Sequence, residues 1–209
     1  MKLIVCDNNE EMTGLVAEWC KEHIATHKAE TVFLPAGNTP IKLYEQWESQ
    51  RPSEIKNLRF IQIDDVLSGP KKGMFKQFFE EHLPSFRDQF EWIEECRRCD
   101  QGADLAILGL GLNGHVAFHE PGMPMDFFCG CLKLSEVTQR NLELSPTTWG
   151  ISYGVGAFVQ SKSIAMMVNG ASKREILDRL IRGDSSLPAS GLMSHPDFTI
   201  FADRAAHPN

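Results

Sequence analysis

The chain has 209 residues, 21 Lys and Arg against 28 Asp and Glu, and a net charge of −7. That balance argues against nucleic acid or an anionic membrane surface as the main partner, because both select concentrated Lys and Arg, and no apolar stretch approaches the roughly 20 residues of a membrane span. The six cysteines are too few and too scattered for a disulfide framework, so free thiols in a cytoplasmic protein are expected.

KLIVCD at 2–7 reads as an opening strand that follows Met1 directly, in place of a signal peptide. Asn8 or Asn9 caps a helix running to about His27, with Met12, Leu15, Val16, Trp19 and His23 spaced for one face, His23 as a packing histidine. TVFL at 31–34 is a short strand that ends in Pro35-Ala36-Gly37-Asn38. Thr39 and Pro40 then read as N-cap and first residue of a helix carrying Leu43, Tyr44 and Trp47. A glycine turn at a helix N-terminus offers free N–H groups and a favourable dipole to an anion. Ala36 to Thr39 is therefore either a phosphate site or an ordinary capped helix start.

LRFIQID at 58–64 is the third strand, and it delivers the adjacent carboxylates Asp64 and Asp65. Side chains alternate along a strand, so one of the pair points into a crevice while the other caps or supports the loop. Gly69 to Gly73 is a surface turn, and Met74, Phe75, Phe78, Phe79 and Leu83 form an amphipathic core stripe. Phe90 to Ile93 is an apolar island suited to an edge strand. Cys96-Arg97-Arg98-Cys99 has the spacing of half a zinc site, but no second pair matches it, so no metal is expected.

Residues 105–122, LAILGLGLNGHVAFHEPG, concentrate the polar chemistry of the chain. Leu105 to Leu108 is an apolar run suited to a strand buried on both faces, Gly109 and Gly111 interrupt it, and Asn113, His115, His119 and Glu120 follow before the Pro121-Gly122 turn. Residues 123–150 lack periodicity and read as a lid or binding loop, where Thr138-Gln139-Arg140 offers hydrogen-bond donors to a substrate, with Arg140 equally readable as a solvated surface charge. GISYGVGAF at 150–158 and SIAMMVNG at 163–170 read as strands. Ser172 and Glu175 fit a capping box for the next helix. Lys173 and Arg174 fall in its first turn, where the helix dipole disfavours cations, so an anion is called for and a second phosphate contact suggested. His195 is a turn histidine before the last strand, PDFTIF at 196–201.

Strands alternating with helices imply an α/β fold: one domain over residues 1–209, with a mostly parallel, open, Rossmann-like sheet and helices on both faces. Ligands of such sheets lie at the carboxyl ends of the strands, where the three polar tips would share one crevice.

LPAGNTP, FIQIDD, GLGLNGHVAFHEPG, VNGASK and SHPDF resemble motifs of the glucosamine-6-phosphate deaminase and 6-phosphogluconolactonase superfamily over nearly the whole chain. The lactonase branch continues G-H-x-A-S after the histidine, whereas Gly114-His115-Val116-Ala117-Phe118-His119-Glu120-Pro121-Gly122 is similar to the amino-sugar deaminase branch. The resemblance implies that Asp64 is the base acting at C2 of the opened sugar, that His115 opens the pyranose ring, and that Glu120 assists it. It implies that Lys173, Thr39 and the backbone of Gly37 and Asn38 hold a 6-phosphate, with Ala36, Asp65 and Gly111 also among the substrate-binding positions. His119 would be a bystander. Asn113 stands where the deaminases usually carry Asp, and Thr138-Gln139 where glucosamine enzymes tend to have Thr-Arg, so the chain looks closest to galactosamine-6-phosphate deaminases/isomerases. No cofactor or metal is implied, only a small-molecule sugar phosphate as partner, in a monomer or small homo-oligomer. A 6-phosphogluconolactonase-like hydrolase and a catalytically decayed sugar-phosphate-binding protein are the alternatives.

Overall fold

The structure, a computed structural model, describes residues 1–93 and 102–208. In chain order its strands are β1 (Lys2–Cys6), β2 (Thr31–Leu34), β3 (Arg59–Gln62), β4 (Asp64–Val66), β5 (Phe90–Glu91), β6 (Leu105–Gly109), β7 (Cys129–Lys133), β8 (Trp149–Tyr153), β9 (Ser163–Val168) and β10 (Phe198–Asp203). The α-helices are α1 (Asn9–His27), α2 (Ile41–Gln50), α3 (Met74–His82), α4 (Glu136–Asn141), α5 (Val155–Phe158) and α6 (Arg174–Ile181).

A seven-stranded sheet in the order β1-β10-β9-β6-β2-β3-β5 is parallel at every pairing among the described residues. Its central strands are apolar without interruption because both of their faces are covered. Alternate residues divide between two cores. Phe33, Ala106, Leu108, Ile164, Met166 and Ile200 pack with α5 and α6 residues such as Phe158, Leu177 and Leu180. Val32, Leu34, Leu105, Ile107 and Met167 face the other way, against Met12, Val16 and Trp19 of α1, Tyr44 and Trp47 of α2 and Phe79 of α3. The parallel α/β architecture with helices on both faces is as expected. So is the start of α1, where the Asn8 side chain accepts from the N–H groups of Glu10 and Glu11 at 2.9 and 3.0 Å. Leu15, expected on the packed face of α1, is exposed.

The second sheet was not foreseen. The stretch 58–64 is not one strand: β3 stops at Gln62, the chain turns out of the large sheet at Ile63, and Asp64 begins β4 of a three-stranded antiparallel sheet ordered β4-β8-β7. Residues 123–150 are correspondingly not a long lid loop, since they contain β7, α4 and the start of β8. The stretch 150–158 divides into the end of β8 and α5. The strands of the small sheet are short and β7 is half-exposed, so they carry little of the alternation by which strands are recognised.

Two helix starts also differ from expectation. Helix α2 begins at Ile41 with Pro40 at the cap and no side-chain capping bond, because the Thr39 hydroxyl instead donates to Asn169 Oδ1 at 2.8 Å. The Ser172/Glu175 capping box does not form, since residues 171–173 make a 3-10 turn and α6 starts at Arg174. Cys6 and Cys20 are free thiols, but Cys129 is disulfide-bonded, contrary to the expectation of free thiols throughout. The pair Cys96/Cys99 lies outside the described residues. Among the described residues no helix is long and apolar enough to cross a membrane.

Candidate active site

The adjacent carboxyl ends of β9, β6 and β2 and the first residue of β4 surround a cavity of roughly 650 Å³. From the β2 loop it is lined by Ala36, Gly37, Asn38 and Thr39, from β4 by Asp64, from the loop after β6 by Gly111 and His115, and beyond β9 by Asn169, Ser172 and Lys173. The three polar strand tips therefore do share one crevice. Phe75, Phe118 and Leu142 give it an apolar wall on the side of the small sheet.

Asp64 and Asp65 separate as strand alternation requires. Asp65 does not enter the cavity. Its carboxylate accepts from the N–H groups of Phe75 and Lys76, both at 3.1 Å, and from Gln62 Nε2 at 2.9 Å, so it holds the start of α3 against β4. Its expected place among substrate-binding residues is thus corrected to that of a helix cap. Asp64 faces the cavity, and no donor among the described residues bonds its carboxylate. Burial, together with the charge of Asp65, pushes its pKa well above the ordinary carboxylate range.

His115 lies over Gly111. A Cβ at Gly111 would sit 2.3–2.4 Å from three ring atoms of His115, so only glycine lets the imidazole occupy this position. Asn113 fixes the ring: Nδ1 of His115 is 2.6 Å from Asn113 Oδ1, while Asn113 Nδ2 donates to Glu120 Oε2 at 2.8 Å. A carboxylate can only accept, so the amide must turn its NH2 towards Glu120 and its oxygen towards His115. Neutral His115 then carries its proton on Nδ1 and leaves Nε2 as the acceptor. Its pKa is lowered, chiefly by burial and further by Lys173, against the opposing charge of Glu120.

Glu120 is a buried carboxylate that does not line the cavity. Besides Asn113 it accepts from the hydroxyls of Ser135, at 2.9 Å, and Thr138. Neither partner was singled out as one, although Thr138 had been marked as a donor; their spacing of three residues at the start of α4 is the signal that points both at one acceptor. Gln139 and Arg140 do not offer donors to the cavity. Gln139 is buried and gives its NH2 to the carbonyls of Leu134 and Pro146, at 2.7 and 3.2 Å, while Arg140 is exposed and bonds Glu136 O. His119 is also a structural group: it is fully buried, and its Nδ1 accepts from Val155 N at 3.0 Å, tying the motif to α5. His195 is buried and bonds Ser161 O at 2.8 Å, as befits a turn histidine.

Lys173, which also lines the cavity, donates through Nζ to Leu110 O at 2.6 Å and has no carboxylate partner among the described residues. Desolvation lowers its pKa. Arg174 turns away to Ala205 O. The first turn of α2, with no acidic residue and no side-chain cap, faces the same region behind Gly37, whose φ of 109° favours glycine. An uncompensated ammonium beside unsatisfied helix N–H groups is suited to an anion. No group of three or more His, Cys, Asp or Glu among the described residues could hold a metal ion.

A family model described as glucosamine-6-phosphate isomerases/6-phosphogluconolactonase matches residues 75–200. Glucosamine-6-phosphate deaminases of Bacillus velezensis and Bacillus cereus (strain G9842) are 29% and 28% identical, each over 99% of this chain and over 98% and 88% of their own lengths. Among solved structures, a monomeric glucosamine-6-phosphate deaminase superposes with a TM-score of 0.81 at 23% identity, covering 99% of this chain and 98% of that one. The 6-phosphogluconolactonase of Leishmania guyanensis gives 0.75 at 17% identity, covering 98% and 97%. With the family match spanning more than half of its length, the chain belongs to the glucosamine-6-phosphate isomerase/6-phosphogluconolactonase family.

Proposed function

We propose that the protein is an amino-sugar-6-phosphate deaminase, converting galactosamine or glucosamine 6-phosphate and water to a ketohexose 6-phosphate and ammonia. The observation that carries this reading is the pairing, on one cavity, of an unpartnered carboxylate whose pKa is raised, Asp64, with a histidine of fixed tautomer, His115. The anion-suited end formed by Gly37, Asn38, Thr39 and Lys173 would hold the phosphate and so orient the sugar.

In this reading Nε2 of His115 takes the proton of the anomeric hydroxyl and returns it to the ring oxygen, which opens the pyranose. Glu120, acting through Asn113, stabilises the positive charge that the ring carries between those steps. The Asp64 carboxylate then removes the proton from C2 and delivers it to C1, while a proton passes from the C2 nitrogen to O1, giving the 2-imine, to which water adds as ammonia leaves. A general base works best when its pKa lies near the working pH, and burial moves Asp64 in that direction. Ammonia release from both hexosamine 6-phosphates, followed with purified protein, tests the proposal; turnover of neither would end it. Hydrolysis of 6-phosphogluconolactone in the same preparation would favour the lactonase alternative.

Asn113→Asp provides a sharper test of the histidine. A carboxylate in place of the amide puts a negative charge against Nδ1, so the His115 pKa should rise, less whatever the added repulsion from Glu120 drives into protonation of the new acid. The expected result is an upward move of the imidazole titration in NMR and of the acidic limb of kcat/KM. An unmoved titration would show that Asn113 does not govern the ring.

A further inference from the structure

We propose that Asn141 reads a hydroxyl of the bound hexose and thereby sets which epimer is preferred, an inference that rests on the deaminase reading. Helix α4, between strands β7 and β8 of the small sheet, lines the cavity beside Asp64 of β4, and its sequence carries four consecutive polar residues, Thr138 to Asn141. Three are committed to the protein. The Thr138 hydroxyl proton goes to Glu120, the Gln139 NH2 to Leu134 O and Pro146 O, and the Arg140 guanidinium to Glu136 O. Asn141 lines the cavity, is exposed to it, and has no hydrogen-bond partner among the described residues.

The committed residues also hold Asn141 still. Gln139 bridges the chain on either side of α4, and Lys71 Nζ donates to Leu142 O at 2.7 Å, fixing the residue that follows Asn141. A reader of a single hydroxyl has to be placed on a supported element, since a hydrogen bond discriminates only if its geometry is maintained. Chemistry favours a hydroxyl over the other parts of such a ligand. An amide offers both donors and an acceptor and so complements an O–H that does the same. It has no charge with which to compete for phosphate against Lys173, which comes from the far side of the cavity beyond β9. The surrounding wall of Phe75, Phe118 and Leu142 has no polar side chain to substitute for it.

The test is calorimetric binding of the two open-chain analogues 2-amino-2-deoxyglucitol 6-phosphate and 2-amino-2-deoxygalactitol 6-phosphate to the unaltered protein and to Asn141→Ala and Asn141→Leu. The expected result is a preference of the unaltered protein for one analogue that falls by about tenfold in both variants, through weaker binding of the preferred one alone. Equal binding of the two analogues by the unaltered protein, an unchanged ratio in the variants, or parallel weakening of both would overturn the inference and leave the deaminase reading standing. Failure of the unaltered protein to bind either analogue would overturn both.

Discussion

Asp64→Asn should abolish nearly all turnover and at the same time make the protein more stable. On the proposed deaminase reading, removing the base should lower kcat by ~10²–10⁴-fold, the usual worth of a positioned general base, because an amide cannot accept the C2 proton. The stability gain follows from the same desolvation that suits the carboxylate to its task. Asp64 has a higher pKa folded than unfolded, so between the two values the folded state binds more protons, and stability falls as pH rises through that window. Above the folded pKa the full cost of a buried, unpartnered charge is present, and below the unfolded pKa none of it is. The variant should therefore unfold at a higher temperature than the unaltered protein near pH 8, by at least about 1 kcal/mol or ~2–4 °C, with the difference vanishing near pH 4. A variant that loses activity and is destabilised at pH 8 would mean that Asp64 is held by contacts the structure does not contain.

The second large effect is expected from Gly111→Ala. The added methyl would collide with the His115 ring at 2.3–2.4 Å, and a collision with side-chain atoms is relieved by moving that side chain. A ring pushed off Gly111 is drawn away from Asn113, whose bond sets its tautomer. The fold should lose only ~1–3 kcal/mol, as overpacking does, while activity falls by ~10²-fold or more as acid–base catalysis by the histidine is lost. Activity retained within a few-fold although NMR shows His115 displaced would remove the histidine from the mechanism. The discriminating control is phosphate affinity, which should hold because Gly37, Thr39 and Lys173 are untouched.

The large sheet was legible because its physics is written locally. LAIL is apolar throughout and TVFL and SIAMMV are apolar after their opening Thr31 and Ser163, which identifies strands covered on both faces, and Asn8 before Glu10 and Glu11 announces a helix start. The site residues at the strand tips were legible for the same reason, since a polar cluster following such a run lies at the carboxyl edge. What escaped depends on partners distant in sequence. Thr39 looks like a cap until Asn169 is folded beside it, 130 residues away in the chain. Ser172 and Glu175 look like a capping box, but a carboxylate of Asp203 draws in Gly170 N just before them and the chain enters a 3-10 turn. Gln139 looks like a ligand contact until two carbonyls claim it.

The departure of the chain from the large sheet at Ile63 has a consequence for how such proteins diversify. The groups suited to an anion all stand at ends of the large sheet, whereas Asp64, Thr138 and Asn141 arrive with the small one. On the proposed reading, changes in the small sheet would retune the part of the chemistry that Asp64 and Asn141 carry while the hold on a phosphate persists. A family whose description spans an isomerase and a lactonase is what that modularity would produce.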